Sequence, residues 1–210
     1  MGMPSVTVID YGMGNLWSIT SALAFLGCSA KVTSNPNEVS HADTLILPGV
    51  GSFRRAAERL KESGLDEAIL HAVKVRGVDL LGICLGMQLL GSQGTEDGDS
   101  KGLGLIPNSV DRFTPLELDG RKIPHIGFNT VSRGTTQRLF KGLPEEADFY
   151  FVHSYRMLPG MMASGIATCC HGVEFVAAFE SDNIFGVQFH PEKSQTNGLV
   201  LLQNFLQKHS

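Results

Sequence analysis

Short apolar runs alternate with longer amphipathic stretches through the first half of the chain. Residues 6–10, 31–33, 44–47 and 80–83 form brief β-rich runs. Residues 16–26, 53–61 and 65–75 carry apolar positions at helical spacing, and a further helix is expected over 85–90. Gly27 is placed to close the first helix, and Ser52 to cap the second. Pro48 is expected to end the third strand. Strands alternating with helices predict an α/β fold, a mostly parallel sheet flanked by helices.

The pattern changes after residue 120. Residues 123–131, 148–152, 165–170, 174–179 and 184–189 are short β-rich runs, several separated by Gly, Asp or Asn. They predict an antiparallel ribbon added to the parallel sheet. Residues 199–206 close the chain as an amphipathic helix. No repeat, low-complexity tract or linker interrupts the 210 residues, so a single domain over 1–210 is expected.

Composition narrows the class. Hydrophobic residues make up 42% and charged ones 18%, which excludes a disordered chain. The net charge of −4 and the lack of a basic stripe argue against nucleic acid as a partner. The longest mostly apolar stretch, 80–91, is too short to span a bilayer, so no membrane partner is expected. The N-terminal Met-Gly-Met-Pro-Ser has no leader pattern, and a cytoplasmic location is expected. Cys28, Cys84, Cys169 and Cys170 show no Cys-x-x-Cys spacing, so neither a metal site nor a redox pair is expected. Gly12-Met13-Gly14-Asn15 lacks the third glycine of a dinucleotide fingerprint, and no cofactor is expected.

The strongest chemical signal is Gly82-Ile83-Cys84-Leu85-Gly86, set between a predicted strand and a predicted helix. It has the Gly-x-nucleophile-x-Gly form of a nucleophile elbow. Small neighbours let the chain turn sharply and raise the thiol above the sheet edge. The helix N-terminus behind it favours a thiolate, and the Leu85 N–H is placed to donate to an oxyanion. A thiol nucleophile needs a base, and the base an orienter. His190 follows the strand 184–189 at its carboxyl end, where parallel α/β sheets gather their sites. In extended chain Glu192 would face the same side as His190, two residues away. Residues 47–52 bring two glycines, Gly49 and Gly51, to a strand end where backbone N–H groups can meet a substrate.

These residues resemble the class I (triad) glutamine amidotransferases. The match runs through Asp10-Tyr-Gly-Met-Gly-Asn15, Leu47-Pro-Gly-Val-Gly-Ser-Phe53, Gly82-Ile-Cys-Leu-Gly-Met-Gln88, Pro124-His-Ile-Gly-Phe-Asn129, Tyr150-Phe-Val-His-Ser-Tyr155 and Gly186-Val-Gln-Phe-His-Pro-Glu-Lys-Ser194. Within that class the motifs are similar to the glutaminase subunits of imidazole glycerol phosphate synthase. The resemblance implies a flavodoxin-like sheet and a Cys84, His190, Glu192 triad that hydrolyses L-glutamine. It also implies oxyanion donors at Leu85 and in the Val50 to Gly51 stretch, in a loop that changes conformation when the partner is loaded. Gly51, Gln88, Glu96, Ser154 and Tyr155 are implied to hold glutamine.

The implied partner is a (β/α)₈ cyclase subunit that receives the ammonia. Such a barrel needs ~200 residues or more, so it implies a second polypeptide and a heterodimer. Phe128 stands where this family usually has Trp, in the segment facing the cyclase. Phe keeps an apolar anchor but loses the indole N–H. A paralogous role, supplying ammonia for the amidination of a surface sugar, shares the same triad and is the alternative expectation.

Overall fold

Four short apolar strands form the centre of the fold. β1 (Ser5–Ile9), β2 (Ser29–Thr33), β3 (Thr44–Gly49) and β4 (Asp79–Cys84) are parallel and lie in the order β2-β1-β3-β4. This computed structural model describes residues 5–160 and 165–207; the segment 1–4, read above for a leader, lies outside them. Every residue of β3 is buried, because helices cover both faces of the sheet at its centre. β3 does not stop at Pro48. It runs on to Gly49 against β4, with Pro48 opposite Ile83 and Gly49 opposite Cys84. Its pairing with β1 ends at Ile46, so Pro48 sits where the strand has one partner and its missing N–H is tolerated.

The helices fill the connections. α1 (Leu16–Phe25) ends as expected: Gly27 adopts φ +72°, and the Gly27 and Cys28 N–H groups return to the Ala24 and Leu23 carbonyls. α2 (Pro36–Ser40) and α3 (Phe53–Glu62) follow, the latter capped by Ser52. The expected 65–75 helix divides. α4 (Leu65–Leu70) is regular, and His71–Val75 widens into a π-helical turn. There the Asn183 side-chain amide takes the Val73 carbonyl. α5 (Leu85–Leu89) leaves the end of β4 directly and is buried along its length.

A second sheet was not legible from the hydrophobic pattern. β5 (Gln93–Gly94), β6 (Ser100–Lys101), β7 (Ser109–Arg112) and β10 (Tyr155–Met157) pair in the order β10-β7-β5-β6. Strands of two to four residues are too short to show a period of two. The ribbon of the second half is as expected. β8 (His125–Ser132), β9 (Glu146–His153), β11 (Ile166–His171), β12 (Val173–Ser181) and β13 (Ile184–Val187) extend the main sheet to nine strands, β2-β1-β3-β4-β13-β12-β11-β8-β9. β13 returns parallel to β4, with Gly186 opposite Gly82 and Val187 opposite Ile83. The carboxyl ends of β4 and β13 are therefore neighbours, although they lie far apart along the chain.

Two cores flank the sheet. One gathers α1, the C-terminal α6 (Gln195–Leu206) and the phenylalanines 140, 149, 151, 175, 185, 189 and 205. The other gathers α3, α4 and α5. Leu201, Leu202 and Phe205 anchor α6, each contributing about 1.5–3 kcal/mol by burial. The outer face of β8 carries Ile126 and Phe128, which are 60% and 51% exposed.

Candidate active site

The turn from β4 into α5 is strained. Cys84 sits at φ 55°, ψ −111°, a backbone region costing about 1–3 kcal/mol for a residue with a Cβ. Its neighbours are packed closely. A Cβ at Gly86 would lie 1.7 Å from the Leu47 carbonyl oxygen, and one at Gly82 would lie 2.7 Å from Met87 Cα. Both glycines let the elbow press against backbone, so the thiol is raised above the sheet edge as the pattern predicts.

His190 and Glu192 converge on the next strand end. The His190 N–H donates to the Tyr150 carbonyl at 2.8 Å, and the Ser194 hydroxyl donates to the His190 carbonyl at 2.6 Å. The two side chains meet for a different reason from the one expected. The chain is extended at His190 but folds at Pro191–Lys193 into a 3-10 turn. That turn, and not strand alternation, brings the Glu192 carboxylate to the imidazole, with Nδ1 2.8 Å from Oε1. The Glu192 side chain is 1% exposed. The Nδ1–H faces a carboxylate, so Nε2 is left for chemistry.

Nε2 is buried and makes no well-directed hydrogen bond. Burial pulls the His190 pKa down, but hydrogen bonding and charge from Cys84 and Glu192 outweigh this and push it up to about 10. The arrangement holds a proton between a sulfur and a carboxylate, which suits a group that must protonate a leaving amine.

A cavity of about 250 Å³ opens beside the thiol, lined by Val50, Gly51, Cys84, Leu85, Gln88, Glu96, Val152, His153, Ser154 and Tyr155. All five residues expected to hold glutamine lie on its wall. Gln88 sits one turn along α5 from Cys84, and its Nε2 donates to the Tyr155 carbonyl at 2.9 Å. Glu96 lies between β5 and β6, where its Oε2 accepts from the Phe53 N–H at 3.0 Å. Burial raises its pKa. Ser154 links β9 to β10, and its carbonyl accepts from the Phe113 N–H at 3.1 Å.

The expected oxyanion donors differ in their surroundings. Leu85 opens α5, so its N–H has no partner within the helix. Val50 is engaged elsewhere. Its N–H donates to the Met13 carbonyl at 3.3 Å and is not available to the site in this conformation. Gly51 lies beside it at φ +108°, a conformation that favours glycine.

Reading the sequence missed Tyr11, His153 and Gln188. The Tyr11 hydroxyl is buried without a partner, and a Cβ at Gly49 would lie 2.3 Å from it. Gln188, wholly buried, points its Nε2 at the Cys84 sulfur, 3.7 Å away. Each stands inside a quoted motif, but nothing local marks it as facing the thiol. Among the described residues, no group of three or more His, Cys, Asp or Glu is placed to hold a metal ion. None of the described helices is long and apolar enough to cross a membrane.

Known proteins agree with the geometry. Residues 7–209 match the glutamine amidotransferase class-I family. The imidazole glycerol phosphate synthase subunit HisH of Moorella thermoacetica is 47% identical over 203 residues, covering 97% of this chain and 94% of its own. The subunit HisH of Geobacillus thermodenitrificans is 45% identical, covering 97% and 96%. HisH 1 of Parasynechococcus marenigrum is 42% identical, covering 97% and 98%. Among solved structures, that of PurLQS from Thermotoga maritima has the same fold, with a TM-score of 0.76 at 20% identity and 98% of each chain covered. A glutamine amidotransferase from Thermotoga maritima gives 0.65 at 16% identity, covering 99% and 100%. With an elbow thiol, a convergent imidazole and near-full-length relatives of one kind, the chain belongs to the class-I glutamine amidotransferases, in the family of imidazole glycerol phosphate synthase subunits HisH.

Proposed function

We propose that this chain works over its whole length as one glutaminase unit, with Cys84 as nucleophile, His190 as acid and base, and Glu192 as orienter. The observation that carries this reading is the meeting of the elbow thiol, the Glu192-bound imidazole and the cavity at one sheet edge. The Cys84 sulfur attacks the side-chain carboxamide of glutamine. The C–N bond breaks as His190 gives its Nε2 proton to the leaving nitrogen, releasing ammonia and leaving a glutamyl thioester. Water then adds to the thioester, His190 takes its proton, and glutamate and the thiolate separate. The Leu85 N–H stabilises the tetrahedral oxyanion. Val50 joins it only after the Met13 bond is broken and the peptide turns. Gly51, Gln88, Glu96, Ser154 and Tyr155 hold the amino acid.

The ammonia passes to a separate cyclase barrel in the cytoplasm, where a heterodimer forms imidazole glycerol phosphate and an aminoimidazole carboxamide ribotide. The names of the near-full-length relatives support this partner over a sugar-amidinating one. The test is glutamine hydrolysis with a purified cyclase barrel, with and without its phosphoribosyl substrate. Strong stimulation by the loaded barrel is expected. Equal activity with and without it would overturn the coupled complex. Loss of Cys84 without loss of activity would overturn the nucleophile.

A further inference from the structure

We propose that Gln188 is a further catalytic residue, donating its side-chain amide hydrogen to the Cys84 sulfur, with its orientation set by a one-way chain of buried hydrogen bonds. This rests on the reading of Cys84 as the nucleophile. The amide of a glutamine can be turned either way by eye, so its direction must come from its partners. Here the partners decide it.

The chain begins at His153. Its Nδ1 lies 2.8 Å from the Tyr155 carbonyl, which can only accept, so Nδ1 carries the proton. Burial pushes the His153 pKa down to about 3 and that of His125 down to about 4, so both rings are neutral at pH 7. His153 Nε2 is therefore an acceptor, and it receives its hydrogen from His125 Nδ1 at 3.0 Å. His125 Nε2 in turn accepts from the Asn129 amide at 3.1 Å. The Tyr155 carbonyl has two lone pairs, and its second donor is Gln88 Nε2 at 2.9 Å.

This fixes Gln88. Turned over, it would set its own oxygen against the Tyr155 carbonyl. Its second amide hydrogen then points at Gln188, 3.0 Å away, where only an oxygen can receive it. The Gln188 oxygen is thereby committed, and its amide nitrogen is left facing the sulfur at 3.7 Å. A donor held in this way, on a wholly buried side chain, stabilises a thiolate more than a thiol. The titratable groups facing the sulfur are His190 from the turn after β13, Tyr11 from the end of β1 and Glu96 across the cavity. Gln188 does not titrate, so its contribution separates from theirs by substitution.

The experiment measures the rate of Cys84 alkylation by iodoacetamide against pH, in wild type, Gln188→Met and Gln188→Glu. Glutamine kcat and KM are measured with the cyclase barrel present. The side chain in Gln188→Met keeps the volume but loses the donor. Its alkylation profile is expected to move to higher pH, with kcat lower by about tenfold and KM changed by less than about threefold. Gln188→Glu sets a carboxylate against the sulfur and is expected to move the profile further the same way. Unshifted profiles in both variants, with kcat at the wild-type level, would overturn the proposal. A variant that fails to fold does not close the question. The Gln188 side-chain amide resonances of ¹⁵N-labelled wild type are expected to move on Cys84 alkylation, and an unmoved signal would overturn the proposal too. Cys84→Ala is the separate control. If it retains glutamine hydrolysis, the nucleophile reading fails, whatever Gln188 does.

Discussion

Two glycine-bearing turns at adjacent strand ends behave in opposite ways. The elbow after β4 is jammed: Gly82 and Gly86 press on backbone, and Cys84 is held at φ 55°. The loop after β3 is open: Val50 is 42% exposed, and its N–H is engaged with the Met13 carbonyl outside the site. In the proposed mechanism the nucleophile is thus built in advance, while half of the oxyanion support is not. In that mechanism, rigidity keeps the thiol aimed, and full turnover waits for the Val50 N–H to leave Met13.

Breaking the rigid side gives the largest effects. Cys84→Ala is expected to lower glutamine-dependent synthesis by about a thousandfold or more, to the level without the nucleophile. Synthesis from added ammonium salts in the complex should survive. Loss of both activities would make Cys84 structural. His190→Ala comes next, and Glu192→Gln is expected to cost about one to two orders of magnitude less, because an orienter contributes less than the acid–base itself. Steady-state kinetics with the loaded barrel compare them, and equal losses would give Glu192 more than an orienting role.

Gly86→Ala tests the jam itself. Its Cβ would overlap the Leu47 carbonyl, so the strand or the elbow must move. A loss of about 3 kcal/mol or more of stability is expected in urea unfolding. A wild-type midpoint would show that the elbow is not held by packing.

The buried histidines extend the contrast in their response to pH. His190 is pulled down by burial but raised to about 10 by its interactions with Cys84 and Glu192. The stability this brings is full below the unfolded value near ~6.5 and is lost as pH climbs toward 10. His125 and His153 are lowered to about 4 and about 3. Their contribution is full above ~6.5 and falls as pH drops below it, by about 1.4 kcal/mol per unit for each ring. Unfolding midpoints at pH 7, 6 and 5 read mainly the histidine pair, since His190 stays protonated in the fold there and its own contribution moves the opposite way, toward greater stability at low pH. A flat midpoint would mean that the pair is already charged in the fold.

Gly51→Ala acts on the movable side and should be the mildest change. Its φ of +108° strains any residue with a Cβ, and that Cβ meets Met13 Cε at 2.9 Å. A loss of about 1 kcal/mol is expected, with partner-stimulated turnover lower by about tenfold. The rate of Cys84 alkylation should not change. A slower alkylation would show that the loop and the elbow are one unit.

The amino-acid sequence by itself determined the α/β alternation, the added ribbon and the elbow, and it singled out Cys84 and His190 as candidate partners. Each rests on a local signal: a period of two or 3.6, a glycine on either side of a thiol, a histidine at a strand end. It did not determine the second sheet, because strands such as β5 and β6 hold only two residues each and carry no period. Nor did it determine why Glu192 reaches His190, which depends on a 3-10 turn after Pro191. Tertiary structure alone decided that the Val50 N–H is held by Met13, and that Gln188 meets the sulfur. Both are contacts between segments distant in the chain, and a hydrogen bond of that kind leaves no trace in the order of residues until the sheet brings its strands together.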